Sequence, residues 1–436
     1  MGTFMKIYIK VFKGRVMKKY SIVFILFLLA YSVVGKTASL GLGDRVSIYS
    51  KVLSTDRELQ VLLPENYYAN TTSTYPVIYL IDGDYNFHGV SGMLDLLANK
   101  GQLIPDVILV GIADKGTSQY HEYMTPSVFD LKAKPSKGKA ADFMRFITEE
   151  VKPYIESNYR NAESSTLVGH SMGGLFVLNM LLEKPSVFNN YVAISPSVWV
   201  ADQGIVAKAK EKLSKVQHSP VSLFLSLADE TRMGQYDFIN TLDLTQPNNI
   251  NWQFKHYPDE NHNSVGIIAL RDSLKTLYKP WYIAENKLAT FKTPASIVEH
   301  YQNIMTEFGF SQPMPSASVQ ELFRRHYRNK NVASLPNFIA ETIKELPASK
   351  QALITMQAKY VAHFDSPKAS LPLLTAVEKE FSQSIDYLKA LASTYEKLED
   401  KAMAHKYYQK AFVAAEKQKA NQWQFNIINA KLVATK

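Results

Sequence analysis

Between residues 45 and 278 short β-branched or aliphatic runs alternate with amphipathic stretches, and this alternation limits the fold more tightly than any other feature of the chain. A run with no polar face must be covered on both sides, so such runs read as strands of a mostly parallel sheet with helices packed over it. The buried-strand candidates are 76–81, 107–111, 166–169, 191–195, 221–227 and 252–257. Two earlier segments, 46–52 and 58–63, alternate in polarity and read as an antiparallel pair at one edge. The clearest intervening helix is 139–157, where Ala140, Phe143, Phe146, Ile147, Val151 and Ile155 recur at three- and four-residue steps. The expected class is α/β.

After residue 284 the strand signals stop and the chain reads as helical to its end, which at 436 residues leaves room for a second core. The expected organisation is an α/β domain over 40–284, a connecting helix and Pro/Ser-rich linker over 285–318, and an all-α domain over 319–436. Leu388, Leu391, Ala392, Tyr395, Ala404, Tyr408 and Ala411 fit the 34-residue tetratricopeptide pattern, with Ala392 and Ala404 where two helices approach closely. One period earlier Ile354, Ala358, Val361, Ser370, Leu374 and Val377 form a degenerate copy, and 421–433 reads as a closing helix. About two repeats fall short of a free-standing array, which needs three or more. The helical domain is therefore expected to pack on the α/β domain and partly cover its entrance.

Composition matters for what it removes. The chain has no cysteine, so disulfides, thiolate metal sites and a cysteine nucleophile are excluded. The net charge of +9 suggests nucleic acid, yet Lys6, Lys10, Lys13, Arg15, Lys18 and Lys19 fall in an acid-free stretch of the first 35 residues, leaving +3 for the remainder. No nucleic-acid partner is expected. Those cations precede the apolar run 21–34 and Gly35, the layout of a signal peptide over 1–35 that is removed on export to the periplasm or beyond. The run is too short to span a bilayer comfortably, so no stable membrane span is expected after cleavage.

The chemistry centres on Gly169-His170-Ser171-Met172-Gly173-Gly174, placed after an apolar strand and before the helical pattern 175–182. In that context G-x-S-x-G is a nucleophile elbow: the serine sits in a strained turn, and Gly169 and Gly173 let strand and helix approach it. A serine hydroxyl needs a base further along the chain. His262, in the loop after the last strand, fits best; His256 lies inside that strand, His88 and His121 come too early, and His170 is expected to point away from the elbow. The acid should lie after strand 221–227, where Asp229 is preferred, with Glu230 and Asp237 as alternatives; Asp259 and Glu260 read as solvated turn residues. Ser171 and Asp229 are 58 residues apart and Asp229 and His262 are 33 apart, enough for a strand and a helix in each interval. Backbone donors for the oxyanion are expected at Met172 and, after strand 76–81, at Asp84, with Gly83 giving the turn its freedom.

These residues resemble the esterase family of α/β-hydrolases that includes esterase D, the antigen 85 mycolyltransferases and the siderophore esterases. The resemblance covers about 45–278 and is carried by Leu80-Ile81-Asp82-Gly83-Asp84, Thr125-Pro126, the elbow, Ser195-Pro196-Ser197-Val198-Trp199 and Asn261-His262-Asn263-Ser264-Val265. The branch of periplasmic enterobactin-type siderophore esterases with tetratricopeptide-like extensions fits best. The resemblance implies Ser171 as nucleophile, His262 as base, and Asp84 and Met172 as oxyanion-hole donors. Family members often carry an arginine shortly before an acidic-aromatic-Thr-Pro run, and the stretch Gln119-Tyr120-His121-Glu122-Tyr123-Met124-Thr125-Pro126 has none. Trp199 and Tyr123 are instead candidate walls of an apolar acyl pocket. The expected function is hydrolysis of a small-molecule ester by a Ser-His-Asp triad without metal or organic cofactor; acyl transfer would use the same residues. The rival expectation is a non-catalytic protein that captures a peptide or protein partner through its helical repeats.

Overall fold

The computed structural model describes residues 42–113, 119–127, 138–213, 220–418 and 420–436. The expected signal peptide lies outside the described residues, and among those described no helix is long and apolar enough to cross a membrane. Eight described strands join in one sheet: β1 (Asp44–Ser50), β2 (Thr55–Leu62), β3 (Tyr75–Ile81), β4 (Ile108–Ile112), β5 (Asn161–His170), β6 (Asn190–Ile194), β7 (Val221–Leu227) and β8 (Ile250–His256). Their order is β1-β2-β4-β3-β5-β6-β7-β8. The β1–β2 and β2–β4 pairs are antiparallel and the other five are parallel. β3 pairs with β4 on one side and β5 on the other, so the chain reverses its direction of travel there. Ligands of open α/β sheets bind at the carboxyl ends of strands flanking such a point.

The strand periodicity of two sorts side chains between two cores. Val77, Tyr79 and Ile81 of β3 face a cluster with Phe143, Phe146 and Phe176, whereas Ile78 and Leu80 face Phe87, Val90 and Leu270. The helices involved near the site are α1 (Gly83–Leu94), α2 (Tyr120–Met124), α5 (Met172–Glu183), α6 (Val200–Lys212), α7 (Gln235–Thr245) and α8 (Val265–Leu277). The stretch read as one helix over 139–157 is α3 (Ala140–Arg145) and α4 (Lys152–Asn158) joined by a wide π-turn at Phe146–Val151. α5 is apolar all round and buried along nearly its whole length, as expected of a helix clamped between a sheet and other helices.

The second core does not stop at the sheet. It continues through Leu288 of α9 (Glu285–Leu288), Ile297, Val298 and Tyr301 of α10 (Pro294–Phe308), Leu322 and Phe323 of α11 (Ser316–Arg328), Ile339 of α12 (Leu335–Glu345) and Leu353 of α13 (Lys350–Phe364). A third core joins α14 (Pro367–Thr375), α15 (Ile385–Lys397), α16 (Lys401–Lys417) and α17 (Gln422–Ala434). Ala392 and Ala404 are fully buried between α15 and α16.

The helical tail packs on the α/β part as expected, but at the other end of the strands from Ser171. Thr74, just before β3, exchanges hydrogen bonds with Ser311. Buried Gln312 accepts from the N–H of Asp106 (2.8 Å) and donates to its carbonyl (2.7 Å) just before β4. Gln424 of α17 reaches Glu65 (3.2 Å), and Lys100 lies over the ring of Trp423 (4.6 Å). All these contacts lie by the amino-terminal ends of β3 and β4, so they do not cover the entrance at the carboxyl ends.

Burial at this junction, with the charge of Glu65 adding, pushes the Asp106 carboxyl up to about 6. A carboxyl whose folded pKa lies above its unfolded value contributes stability that is full below about pH 4 and lost as pH rises through about 6. Gln312 holds only the backbone of Asp106, so Asp106→Asn leaves that contact intact. Asp106→Asn is expected to be more stable than the parent by about 1 kcal/mol at pH 7.5, allowing for partial solvent exposure, with the difference gone at pH 4. Urea unfolding at the two pH values checks this.

Candidate active site

β5 ends at His170 and α5 begins at Met172, and between them Ser171 has φ 59° and ψ −117°. A non-glycine residue in that region is strained and persists only where its surroundings fix it. Here Ser171 N–H donates to the carbonyl of Ile194 (2.9 Å), while its own carbonyl accepts from Ser197 (3.0 Å) and Leu175 (3.0 Å). The glycines are dictated by contact: a Cβ on Gly169 would stand 2.3 Å from the carbonyl oxygen of Gly173, and one on Gly173 would stand 2.9 Å from a carboxylate oxygen of Asp82. The Ser171 hydroxyl lies 3.4 Å from that of Ser197, a contact at the outer limit of a hydrogen bond.

His262, the candidate base, lies in the loop after β8. After β8 the Asn261 side chain accepts from the N–H groups of Asn263 (3.0 Å) and Ser264 (3.1 Å), while the Ser264 hydroxyl accepts from Asn261 N–H (3.0 Å), and this turn holds His262 between them. The His262 ring packs on His170, centroid to centroid 4.6 Å. That contact places His262 at the end of β5, against the residue that precedes Ser171. The His170 ring, expected to point elsewhere from the elbow, packs against His262. His88 and His121 are exposed on α1 and α2. His256 closes β8, where its Nε2 hydrogen-bonds the Ala228 carbonyl (3.1 Å).

The candidate acid departs from the preferred expectation. Glu230, not Asp229, meets His262, through Oε1 on Nδ1. The reason lies in the loop backbone: Asp229 N–H is tied to the carbonyl of Glu260 (2.9 Å), which leaves the Asp229 side chain exposed and turns the next residue inward. The other Glu230 oxygen accepts from Ala228 N–H (2.9 Å) and the Ser195 hydroxyl (3.3 Å). Asp237 stands in the first turn of α7. A carboxylate on Nδ1 fixes the tautomer that presents a basic Nε2 and stabilises the imidazolium once Nε2 takes a proton.

The second oxyanion donor is expected from the turn after β3. Asp84 is the second residue of α1 and Met172 the first of α5, positions whose N–H groups have no acceptor within their own helices. The left-handed residue of the turn is Asp82 (φ 63°, ψ 38°), not Gly83. Gly83 is needed for closeness instead, since a Cβ there would lie 2.9 Å from the backbone of Gly111.

The two pocket candidates separate. Trp199 is 54% exposed, two residues beyond Ser197, and Tyr85 beside Asp84 is 53% exposed, so both rings lie at the surface. Tyr123 is buried in the core, stacked on Phe143 at 5.4 Å with Arg57 over its ring. Its polar tip is satisfied by Gln119 (3.1 Å), and the tyrosine packs α2 rather than forming a pocket wall. Ser195 and Ser197 carried no expected role; the signal available was two hydroxyls flanking a proline directly after a strand end.

The family model described as "Putative esterase" matches residues 50–265. The ferri-bacillibactin esterase BesA of Bacillus subtilis is 31% identical over 231 residues, which covers 47% of this chain and 80% of that protein. The crystal structure of an IroE-like serine hydrolase from Shewanella oneidensis superposes with a TM-score of 0.55 at 26% identity, covering 73% of this chain and 99% of the other. An uncharacterised protein from Capnocytophaga ochracea shares the fold over 90% of this chain and 99% of its own, with a TM-score of 0.52 at 17% identity.

Proposed function

The chain belongs to the esterase family of α/β-hydrolases, and from that premise we propose a serine esterase in which Ser171 is the nucleophile, His262 the base and Glu230 the acid. The observation that carries this reading is the Glu230–His262 hydrogen bond at the same sheet edge as the strained Ser171. His262 Nε2 takes the Ser171 proton as Oγ attacks the ester carbonyl, and then returns it to the leaving alcohol. The N–H groups of Met172 and Asp84 hold the developing oxyanion, each such donor typically contributing about 100- to 1000-fold in rate. Water, deprotonated by the same imidazole, releases the acyl group. The catalytic machinery falls within the α/β domain assigned to 40–284, while 319–436 is read as a tetratricopeptide-like extension on its sequence period and the α15–α16 hairpin.

For the substrate class we propose a siderophore-type ester. The support is the named activity of the Bacillus relative, together with the exposed rings of Trp199, two residues beyond Ser197, and Tyr85, beside Asp84, which are suited to stacking on an aromatic acyl group. The test offers the mature chain a ferric catecholate trilactone beside p-nitrophenyl acetate. Cleavage of the trilactone with kcat/KM at least about 10-fold above the simple ester is expected, the size of one favourable ring contact. Turnover of p-nitrophenyl acetate with the trilactone untouched would reject the siderophore class and leave the esterase.

A further inference from the structure

Both oxygens of the Glu230 carboxylate are committed: Oε1 meets His262, and Oε2 accepts from Ala228 N–H (2.9 Å) and the Ser195 hydroxyl (3.3 Å). Ser195 is fully buried, and its hydroxyl accepts from that same Ala228 N–H (3.1 Å) while giving its one proton to Glu230. The carbonyl of Ala228, in the next peptide group, is held by His256 (3.1 Å). Ser195 N–H donates to the carbonyl of Ser226 (3.0 Å), which ties the end of β6 to β7 beneath the acid loop.

The backbone of Ser195 is unusual as well, with φ 36°. A side chain other than glycine, asparagine or aspartate rarely occupies the left-handed region, and such strain clusters where function fixes it. Glutamate explains what the hydroxyl contributes. Its side chain has one more rotatable bond than that of aspartate, so a carboxylate whose Oε2 keeps only the Ala228 N–H would sample more orientations that break the pair.

Resting on the proposed triad, we infer that Ser195 is the positioning residue of its acid: the hydroxyl pins Oε2 so that Oε1 stays on Nδ1 of His262. Ser195 touches no reacting atom and acts only through Glu230.

Ser195→Gly is the variant that isolates the hydroxyl, because glycine adopts a left-handed φ without strain and the fold should be retained. The experiment compares the full chain, Ser195→Gly, Glu230→Gln and the double variant on a p-nitrophenyl ester across pH, with a thermal melt for each. Ser195→Gly is expected to lower kcat on the order of 10-fold with KM held within about twofold, as for loss of a hydrogen bond to a charged group. The acidic limb of its kcat/KM profile should move to lower pH. A carboxylate that leaves Nδ1 for part of the time stabilises the imidazolium less. In the Glu230→Gln background the same change should alter kcat by less than about twofold, since the two residues act as a unit. Parental kcat and profile in Ser195→Gly beside an impaired Glu230→Gln would overturn the proposal, as would independent, multiplying losses in the double variant. A Ser195→Gly chain that fails to fold would assign the hydroxyl to the scaffold and overturn it as well. Parental activity in Glu230→Gln would instead overturn the triad assignment, and the proposal with it.

Discussion

Ser171→Ala is expected to lower kcat by about 10⁴-fold or more, leaving the residual rate that oxyanion donors and substrate binding supply without a nucleophile. Alanine keeps the same Cβ, so the strain at φ 59° is unchanged and the variant should melt with the parent. The readout is twofold: ester turnover, and intact mass after exposure to a fluorophosphonate. The parent should gain one adduct and Ser171→Ala none. An adduct that persists in Ser171→Ala, or turnover within 10-fold of the parent, would move the nucleophile elsewhere and undo the reading of the elbow.

The second large effect separates two adjacent carboxylates. Glu230→Gln should lower kcat by about 10³- to 10⁴-fold, because an amide of the same shape carries no charge for the imidazolium and can stabilise the wrong tautomer of His262. Asp229→Asn should stay within about twofold, since its side chain is solvated and only its backbone N–H is engaged, on Glu260. Steady-state kinetics on one chromogenic ester decide it. The reverse pattern would restore Asp229 as the acid and require the loop after β7 to rearrange on binding substrate.

Much of the sheet was legible because both-face burial writes a continuous apolar run, as in Val77 to Ile81 and Val221 to Leu227. β5 reads short in the sequence, as 166–169, because its first residues include Asn161, Glu163 and Ser164, and it meets β3 through a register shift between Tyr75 and Val77. The wide turn at Phe146–Val151 was invisible because a helical repeat of apolar residues barely changes when one turn loosens. Tyr123 shows the same limit from another side: an aromatic in a short helix reads alike whether it lines a pocket or, as here, stacks on Phe143.

The sequence by itself determined the α/β class, the strained serine between two glycines, and the histidine in the loop after the last strand. Each of these follows from local rules: periodicity, the steric demand of one turn, and chain order along a sheet. Only the tertiary structure decided that Glu230 rather than Asp229 meets His262, that the His170 ring packs on His262, that the Ser195 hydroxyl bonds Glu230, and that the helical tail docks at the amino-terminal edge. Those outcomes depend on which way a side chain leaves a loop, and loops are directed by distant partners. The Asp229 N–H on Glu260, Ala228 between His256 and Ser195, and Gln312 on Asp106 join segments 28 to 206 residues apart in the chain, and no local pattern encodes such pairings.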